Sequence, residues 1–310
     1  MSKKSAKIAV TYVVTILVTL LVVGAFGMYM LKLISSKETK DPSQNVVIDQ
    51  MVSSGEYEPS ISDNRTVLLI LDTEKRESAS CFLIARFLAV EKQLVFMPLP
   101  SNTKAAVDGS ADSLYNFYRN GGTASAVKAV ESCTGVKIDK FIKFNKDSFT
   151  NIIDIFGGVD YDIPYNLIYD NPTTGEETII REGETYLDSS TMRKVLTYPN
   201  YNSGEEYRAK CLGIIITDMI NTNVDANFAS HLDDYFSSVI NSTIETDITS
   251  YDYDEISNAM KYVIRNYDRL ATFVLTSGTS DENGLYELDA NFVKSITEWL
   301  KLYDENGDPQ

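Results

Sequence analysis

The clearest pattern of hydrophobic and polar positions lies between residues 135 and 164, where the spacing of the apolar residues changes twice. Apolar and polar residues alternate from Ile138 to Asn145, which is typical of a half-buried strand. Apolar residues then fall three or four apart and form one face of a helix, made by Phe149, Ile152, Ile153 and Phe156. Alternation returns from Val159 to Ile163. This strand–helix–strand unit predicts a sheet covered by helices.

The residues at the ends of this helix are of the types that start and stop helices. Asp147 or Ser148 can accept hydrogen bonds from the first unpaired backbone N–H groups, and Gly157 with Gly158 can end the helix. Pro164 ends the second strand because it has no backbone N–H to donate.

Other apolar runs predict the remaining elements. The strands are Val67–Leu71, read as central because it is fully apolar, followed by Cys81–Val90, Leu94–Leu99 and Ala271–Thr276. A turn at 171–175 joins a β-hairpin formed by Tyr161–Asp170 and Thr178–Tyr186. The helices are Leu114–Arg119, Ser125–Thr134, Ser189–Leu196, Glu205–Ile220, Ala226–Ile240, Tyr253–Asn266 and Asn291–Tyr303. The predicted fold class is α/β, with a mixed central sheet covered by helices on both faces and a β-hairpin.

One charged residue interrupts this pattern. Arg86 lies inside the otherwise apolar run Cys81–Val90. Because arginine is almost never fully buried without a partner, an edge strand or a position that faces a ligand would explain it.

The N-terminal segment has the character of a membrane anchor. Ile8 to Leu31 contains no charged residue, and about 20 apolar residues are enough to cross a bilayer. Three lysines precede this run and two follow it closely, so the flanking charges orient it only weakly. We predict one transmembrane helix over residues 8–34, a cytoplasmic tail at 1–7 and a single-pass protein of the cell membrane. Cleavage near Ala25–Gly27 is the alternative, although the run is longer than a usual signal-peptide core.

Composition defines the rest of the chain. Residues 35–65 are polar and predict a linker, 66–303 predict an extracytoplasmic domain, and 304–310 a frayed tail. The chain carries 44 Asp and Glu against 28 Lys and Arg, and an acidic surface repels nucleic acid. The three cysteines lie inside predicted strands or helices, which favours buried free thiols over a disulfide framework.

Two motifs in the central unit match a known family. Residues 138–149 have the form IDxxIKxNxxxF, and residues 157–164 have the form GGVDxDIP. Weaker matches are the strand ending at Asp72, the helix with Gly121–Gly122 and the GETYLD segment around Leu187. Together they resemble the LytR-CpsA-Psr family of bacterial envelope proteins over roughly residues 62–220, with a looser likeness to about 305.

The resemblance implies a transferase site. Members of the family transfer a glycopolymer from a polyprenyl-pyrophosphate carrier onto the cell wall, which requires arginines to clamp phosphate oxygens and a carboxylate-held cation. Asp72 and Arg208 match charged positions of the family and are the candidate catalytic residues, with Asp72 also the candidate magnesium ligand. Arg76, Lys210, Ser101 and Asn102 are the candidate ligand-binding residues. The implied partners are a polyprenyl-linked glycan or peptidoglycan, and no nucleic acid.

The same comparison shows a depleted site. Seven positions lack the arginine or aspartate of the family pattern: Glu77, Ala79, Ser101, Asn102, Thr197, Pro199 and Glu205. Each lost charge-assisted contact is worth about 1.5–3 kcal/mol. Two functions remain open, a binding protein with weak or no catalysis and an active phosphotransferase. Simple structural roles also remain open, since Asp72 can cap a turn and Arg208 can form a surface ion pair.

Overall fold

The computed structural model describes residues 57–72, 81–170, 175 and 177–303. The predicted tail 1–7, anchor 8–34, most of the linker and the tail 304–310 lie outside this part of the chain. Within it, no helix is both long and apolar enough to cross a bilayer. The membrane anchor, the single-pass topology and the domain bounds therefore stay predictions.

The described residues form fourteen strands and eight α-helices. The strands are β1 (Arg65–Leu71), β2 (Cys81–Leu88), β3 (Gln93–Leu99), β4 (Lys104–Val107), β5 (Ser110–Ser113), β6 (Lys140–Phe144), β7 (Val159–Ile163), β8 (Leu167–Asp170), β9 (Glu177–Ile180), β10 (Gly183–Leu187), β11 (Glu245–Thr246), β12 (Ala271–Phe273), β13 (Gly278–Ser280) and β14 (Tyr286–Leu288). The helices are α1 (Leu114–Thr134), α2 (Lys146–Phe156), α3 (Ser189–Leu196), α4 (Gly204–Asn223), α5 (Ala226–Ser230), α6 (Leu232–Ser242), α7 (Ser250–Asn266) and α8 (Ala290–Trp299).

Six strands form the central sheet in the order β11-β6-β1-β2-β3-β12. β1 runs parallel to β6 and β3 parallel to β12, whereas the other neighbours are antiparallel. The mixed central sheet is thus confirmed.

Each face of the sheet carries its own apolar core, because successive side chains of a strand point to opposite faces. Leu68 and Ile70 of β1 pack on one face with buried residues of α1 and α8. Leu71 and Leu83 belong to the core on the other face, with residues of α2 to α7. The prediction of helices on both faces is confirmed.

The central strand–helix–strand unit forms as predicted, with one correction at the helix start. Asn145, and neither Asp147 nor Ser148, is the N-cap of α2, since its Oδ1 accepts the Ser148 N–H at 2.9 Å. Ser148 returns the contact by accepting the Asn145 N–H at 2.8 Å, which makes a capping box. Phe149, Ile152 and Ile153 are buried, as the spacing predicts.

The predicted hairpin is present in two parts. β7 pairs with β10, and β8 pairs with β9 at the outer end. The pairing is interrupted near Pro164, where a strand N–H is missing. The predicted turn at 171–175 lies almost wholly outside the described residues.

Other elements differ from the sequence prediction. The two helices predicted around Gly121–Gly122 adjoin within the span α1, and the predicted break between them is confirmed at Gly122, which has a non-helical φ of 67°. The helix predicted over Ala226–Ile240 is two helices, because the His231 N–H bonds to the Phe228 carbonyl three residues back. The pairs β4–β5 and β13–β14 were not predicted, because their strands have three or four residues and no clear alternation.

Gly158 marks a place where the backbone comes too close to its neighbours for a side chain. A Cβ there would lie 2.3 Å from the Leu187 carbonyl oxygen and 2.7 Å from the Tyr186 ring. We therefore expect Gly158→Ala to lower the free energy of unfolding by about 2 kcal/mol, measured by chemical denaturation. Asp154→Ala, an exposed change on α2, is the control and is expected to have little effect. Equal stability of both variants would contradict the close approach.

Candidate functional site

The candidate residues lie at one edge of the central sheet, where β1 and β3 end and β2 begins. Leu71 pairs with Cys81, and Phe82 pairs with both Ile70 and Leu99. Asp72 and Ser101, which follow β1 and β3, therefore lie at one level, about 10 Å apart across two inter-strand spacings. We call this edge the Asp72 edge.

Asp72 is held on the α1 side of the sheet. Its Oδ2 accepts a hydrogen bond from the Tyr118 hydroxyl at 2.6 Å, and its backbone N–H bonds to the Phe144 carbonyl. The Lys143 ammonium lies 3.8 Å from the same oxygen and 3.7 Å from a carboxylate oxygen of Glu245. Burial raises the pKa of Tyr118, and its bond to Asp72 raises it further, so the phenol remains protonated and donates.

The glycine break in α1 contributes to this arrangement. The backbone at Gly122 has φ 67° and ψ −162°, which separates the first turns of α1 from the rest. Tyr118 in the first part reaches Asp72, and Thr123 in the second part donates to Glu245 at 2.9 Å. A residue with a side chain adopts a positive φ only with strain, so glycine suits this position.

Arg208 lies on the opposite face, in the first turns of α4. It is buried, with only 2% of its surface exposed, and it forms an ion pair with Glu205 of the same helix. Its Nη2 also donates to Ser101 Oγ at 3.2 Å, while Ser101 donates to Glu205 at 2.5 Å. The resemblance implies an arginine at position 205, where this chain has a carboxylate that pairs with Arg208.

The segment 196–199, where the resemblance implies two arginines, begins at the same edge. Cys81 Sγ is 3.4 Å from the carbonyl oxygen of Leu196, which directly precedes Thr197. Burial raises the pKa of Cys81 and keeps it a neutral thiol. Cys81 and Cys211 are buried, Cys133 is half-buried and all three are free thiols, as predicted.

The charged side chains that the structure describes at the Asp72 edge are unfavourable for the binding of a pyrophosphate. Asp72, Glu245 and Glu205 bring three carboxylates, against the two cations Lys143 and Arg208. Each cation already faces a carboxylate, so a polyanionic ligand would have to displace one.

The same residues fit a magnesium ion poorly. The Lys143 ammonium stands where a cation near Asp72 would bind. Among the described residues, no group of three or more His, Cys, Asp or Glu side chains could hold a metal ion. Magnesium at Asp72 stays a prediction.

The other candidate residues are spread more widely. Asn102 donates to the Gly284 carbonyl at 2.9 Å, and its buried Oδ1 has no hydrogen-bond partner. Lys210 is exposed and lies about 200° around α4 from Arg208, with its ammonium 5.9 Å from the Tyr207 ring centre. Arg76 lies outside the described residues.

Two adjoining apolar cavities lie between the sheet and α2, α4, α6 and α7. The first has a volume of about 260 Å³ and reaches Leu71 and Cys81 at the Asp72 edge. The second has a volume of about 250 Å³ and reaches Arg65 at the other end of β1. Four residues line both cavities: Leu94, Ile142, Phe156 and Val239. Together the two cavities extend along β1 for about 20 Å, at 3.3 Å per residue.

Sequence reasoning missed three residues beside Asp72. Tyr118, Lys143 and Glu245 come from three separate elements, and only the fold brings them together. Lys143 is the lysine of the IDxxIKxNxxxF motif. A charged residue inside this alternating strand was the one sign in the sequence that Lys143 could belong to the site.

Comparisons with known proteins place the chain in a family. The model described as "LytR_cpsA_psr family" matches residues 33–301. Two curated relatives are named polyisoprenyl-teichoic acid–peptidoglycan teichoic acid transferase TagU, from Bacillus licheniformis and Bacillus subtilis. Each relative is 26% identical to this chain over a stretch that covers 67% of this chain. The chain spans about two thirds, 66%, of the length of either relative.

A solved structure shows the same fold. The crystal structure of a proposed transcription regulator from Eubacterium siraeum has a TM-score of 0.68 and 26% identity. The match covers 79% of this chain and 94% of the chain in that crystal structure.

Proposed function

The chain belongs to the LytR-CpsA-Psr family, and from this membership we propose that it binds polyprenyl-linked glycopolymers at the cell envelope, with weak or no catalysis of their transfer. The partners proposed are a polyprenyl-linked glycan or peptidoglycan. The proposed location is the outer side of the cell membrane, attached through the predicted anchor.

The pair of apolar cavities is the observation that carries the binding part of this proposal. A polyprenyl chain is a linear series of apolar, methyl-branched isoprene units, and its burial in a mostly apolar cavity is favourable without any charged contact. The first cavity reaches the Asp72 edge on the face of the sheet that carries Arg208, so a lipid bound there would bring its phosphate end to that edge.

The ion pairs at the Asp72 edge support the weak-catalysis part. Phosphoryl transfer depends on positioning and charge neutralisation by the protein. Arg208 is paired with Glu205, and Lys143 lies between Asp72 and Glu245. Family membership and the TagU relatives favour the alternative, an active phosphotransferase that attaches a glycopolymer to peptidoglycan.

Lipid binding is tested by narrowing the junction of the two cavities. Val239 of α6 lines both cavities, and Val239→Trp places a bulky indole ring at their junction. We expect wild-type chain to bind a polyprenyl phosphate saturably and Val239→Trp to bind about tenfold more weakly or worse, a loss of about 1.4 kcal/mol. The measurement is a titration in detergent, with the melting temperature of each variant recorded.

Val90→Trp is the matched control. Val90 is 43% exposed and lines neither cavity, so the same substitution there is expected to leave lipid affinity unchanged. No saturable binding by wild type, or equal losses in the two variants, would remove the support for this site.

A further inference from the structure

The central strand β2 contains a buried arginine that the proposed function does not use. Arg86 is 4% exposed and shares its face of the sheet with the core residues Phe82, Ile84 and Leu88. β2 lies between β1 and β3, so the edge-strand explanation suggested by the sequence is wrong. A position that faces a ligand is the explanation that remains from the sequence.

The hydrogen bonding of Arg86 is incomplete. Nη1 donates to Thr66 Oγ1 at 2.7 Å, whereas Nε is buried with no partner. The Nε–Nη2 edge, which carries two parallel N–H donors, forms no hydrogen bond among the described residues. The nearby carboxylate of Asp139 accepts the Thr66 backbone N–H at 2.8 Å, and no described carboxylate oxygen lies within 4.0 Å of the guanidinium. A buried charge with so few partners is unfavourable unless a ligand completes its contacts.

A cavity of about 400 Å³ lies next to this guanidinium. Its lining includes Thr66, Arg86, Lys137 and Asp139, so it contains two cations and one carboxylate. Lys137 is exposed and forms no ion pair with any described residue. Burial lowers the pKa of Arg86, while Asp139 and Glu91 raise it and Arg65 lowers it. An arginine nevertheless stays protonated at neutral pH because the ordinary pKa of a guanidinium lies far above neutral pH.

This cavity is separate from the Asp72 edge. Thr66 is near the start of β1 and Asp72 follows its end, so the two regions are about 20 Å apart. Thr66 and Arg86 also lie on the α1–α8 face, opposite the face with the two apolar cavities.

We propose that the Arg86 cavity is a binding site for a phosphate group, held by the unpaired Nε–Nη2 edge of Arg86 and by the ammonium of Lys137. A planar guanidinium edge binds two phosphate oxygens with parallel charge-assisted hydrogen bonds. The phosphate can belong to a free anion or to a lipid headgroup, since the chemistry recognised is the same. Non-specific anion binding is disfavoured by the formal net charge of −16.

The test titrates the 310-residue chain with inorganic phosphate and, separately, with a short-chain, water-soluble phosphatidylglycerol. We expect saturable binding that Lys137→Gln weakens by about tenfold, since one charge-assisted contact is lost. Asp139→Asn is expected to tighten binding, because it removes the opposing charge and keeps an oxygen for the Thr66 N–H. Lys128→Gln, at an exposed position of α1 outside the cavity, is the matched control and is expected to bind as wild type does.

Arg86→Gln is expected to abolish phosphate binding. If the Arg86→Gln variant does not fold, the Lys137→Gln and Asp139→Asn variants still test the proposal. Binding of phosphate identifies a free anion as a sufficient ligand, and binding of the phosphatidylglycerol alone identifies a headgroup. Binding of neither probe overturns the proposal, as does binding that Lys137→Gln and Asp139→Asn both leave unchanged.

Discussion

Wild-type chain is expected to cleave a polyprenyl-pyrophosphate-linked glycan at least about a thousandfold more slowly than TagU assayed beside it. The resemblance implies an arginine or aspartate at seven positions where this chain has another residue, and contacts of this kind are worth about 1.5–3 kcal/mol each. Glu205 also pairs with Arg208, and Lys143 with Asp72, so these two cations already face carboxylates. The measurement is release of the polyprenyl phosphate, with and without added magnesium.

Two substitutions show whether any observed turnover belongs to this site. Asp72→Ala and Arg208→Ala remove the residues that match the family pattern, and Lys294→Ala, at an exposed position of α8, is the control. Wild-type turnover within about tenfold of TagU, abolished by either site substitution and unchanged by the control, would establish the phosphotransferase alternative.

Replacing Ile153 with aspartate is expected to lower the free energy of unfolding by about 4 kcal/mol. Ile153 is 2% exposed, belongs to the core between the sheet and α2, and lines the first apolar cavity. The substitution removes a buried apolar side chain and places a carboxylate where the lining residues are mostly apolar. Chemical denaturation followed by circular dichroism measures the change.

The same helix provides the control for that experiment. Asn151→Asp introduces an identical carboxylate on the exposed face of α2 and is expected to change stability by no more than about 0.5 kcal/mol. Ile153→Val is expected to cost about 1 kcal/mol, which separates lost packing from buried charge. Unchanged stability of Ile153→Asp would show that this face of α2 is not part of the core.

Periodicity predicted the elements that are long and regular. The spacing of Phe149, Ile152 and Ile153 predicted the buried face of α2, and the fully apolar run at Val67–Leu71 predicted a central strand. The helix cap was assigned two or three residues too late, because Asn145, Asp147 and Ser148 are all cap-forming types and only backbone geometry distinguishes them. Short pairs such as β4–β5 were missed because three or four residues do not establish a period.

For the candidate site, the sequence by itself determined the residue types and the local pairs. The resemblance implied arginines at positions where the chain has other residues, and Glu205 with Arg208 is an i, i+3 pair that any helix places together. The tertiary structure alone decided the rest. It placed Tyr118 and Lys143 beside Asp72, set the two apolar cavities next to each other, and showed that β2 is central, so that Arg86 is buried with no carboxylate partner among the described residues. These contacts join residues 20 to more than 70 positions apart in the chain, and no local periodicity carries the register and packing that bring such residues together.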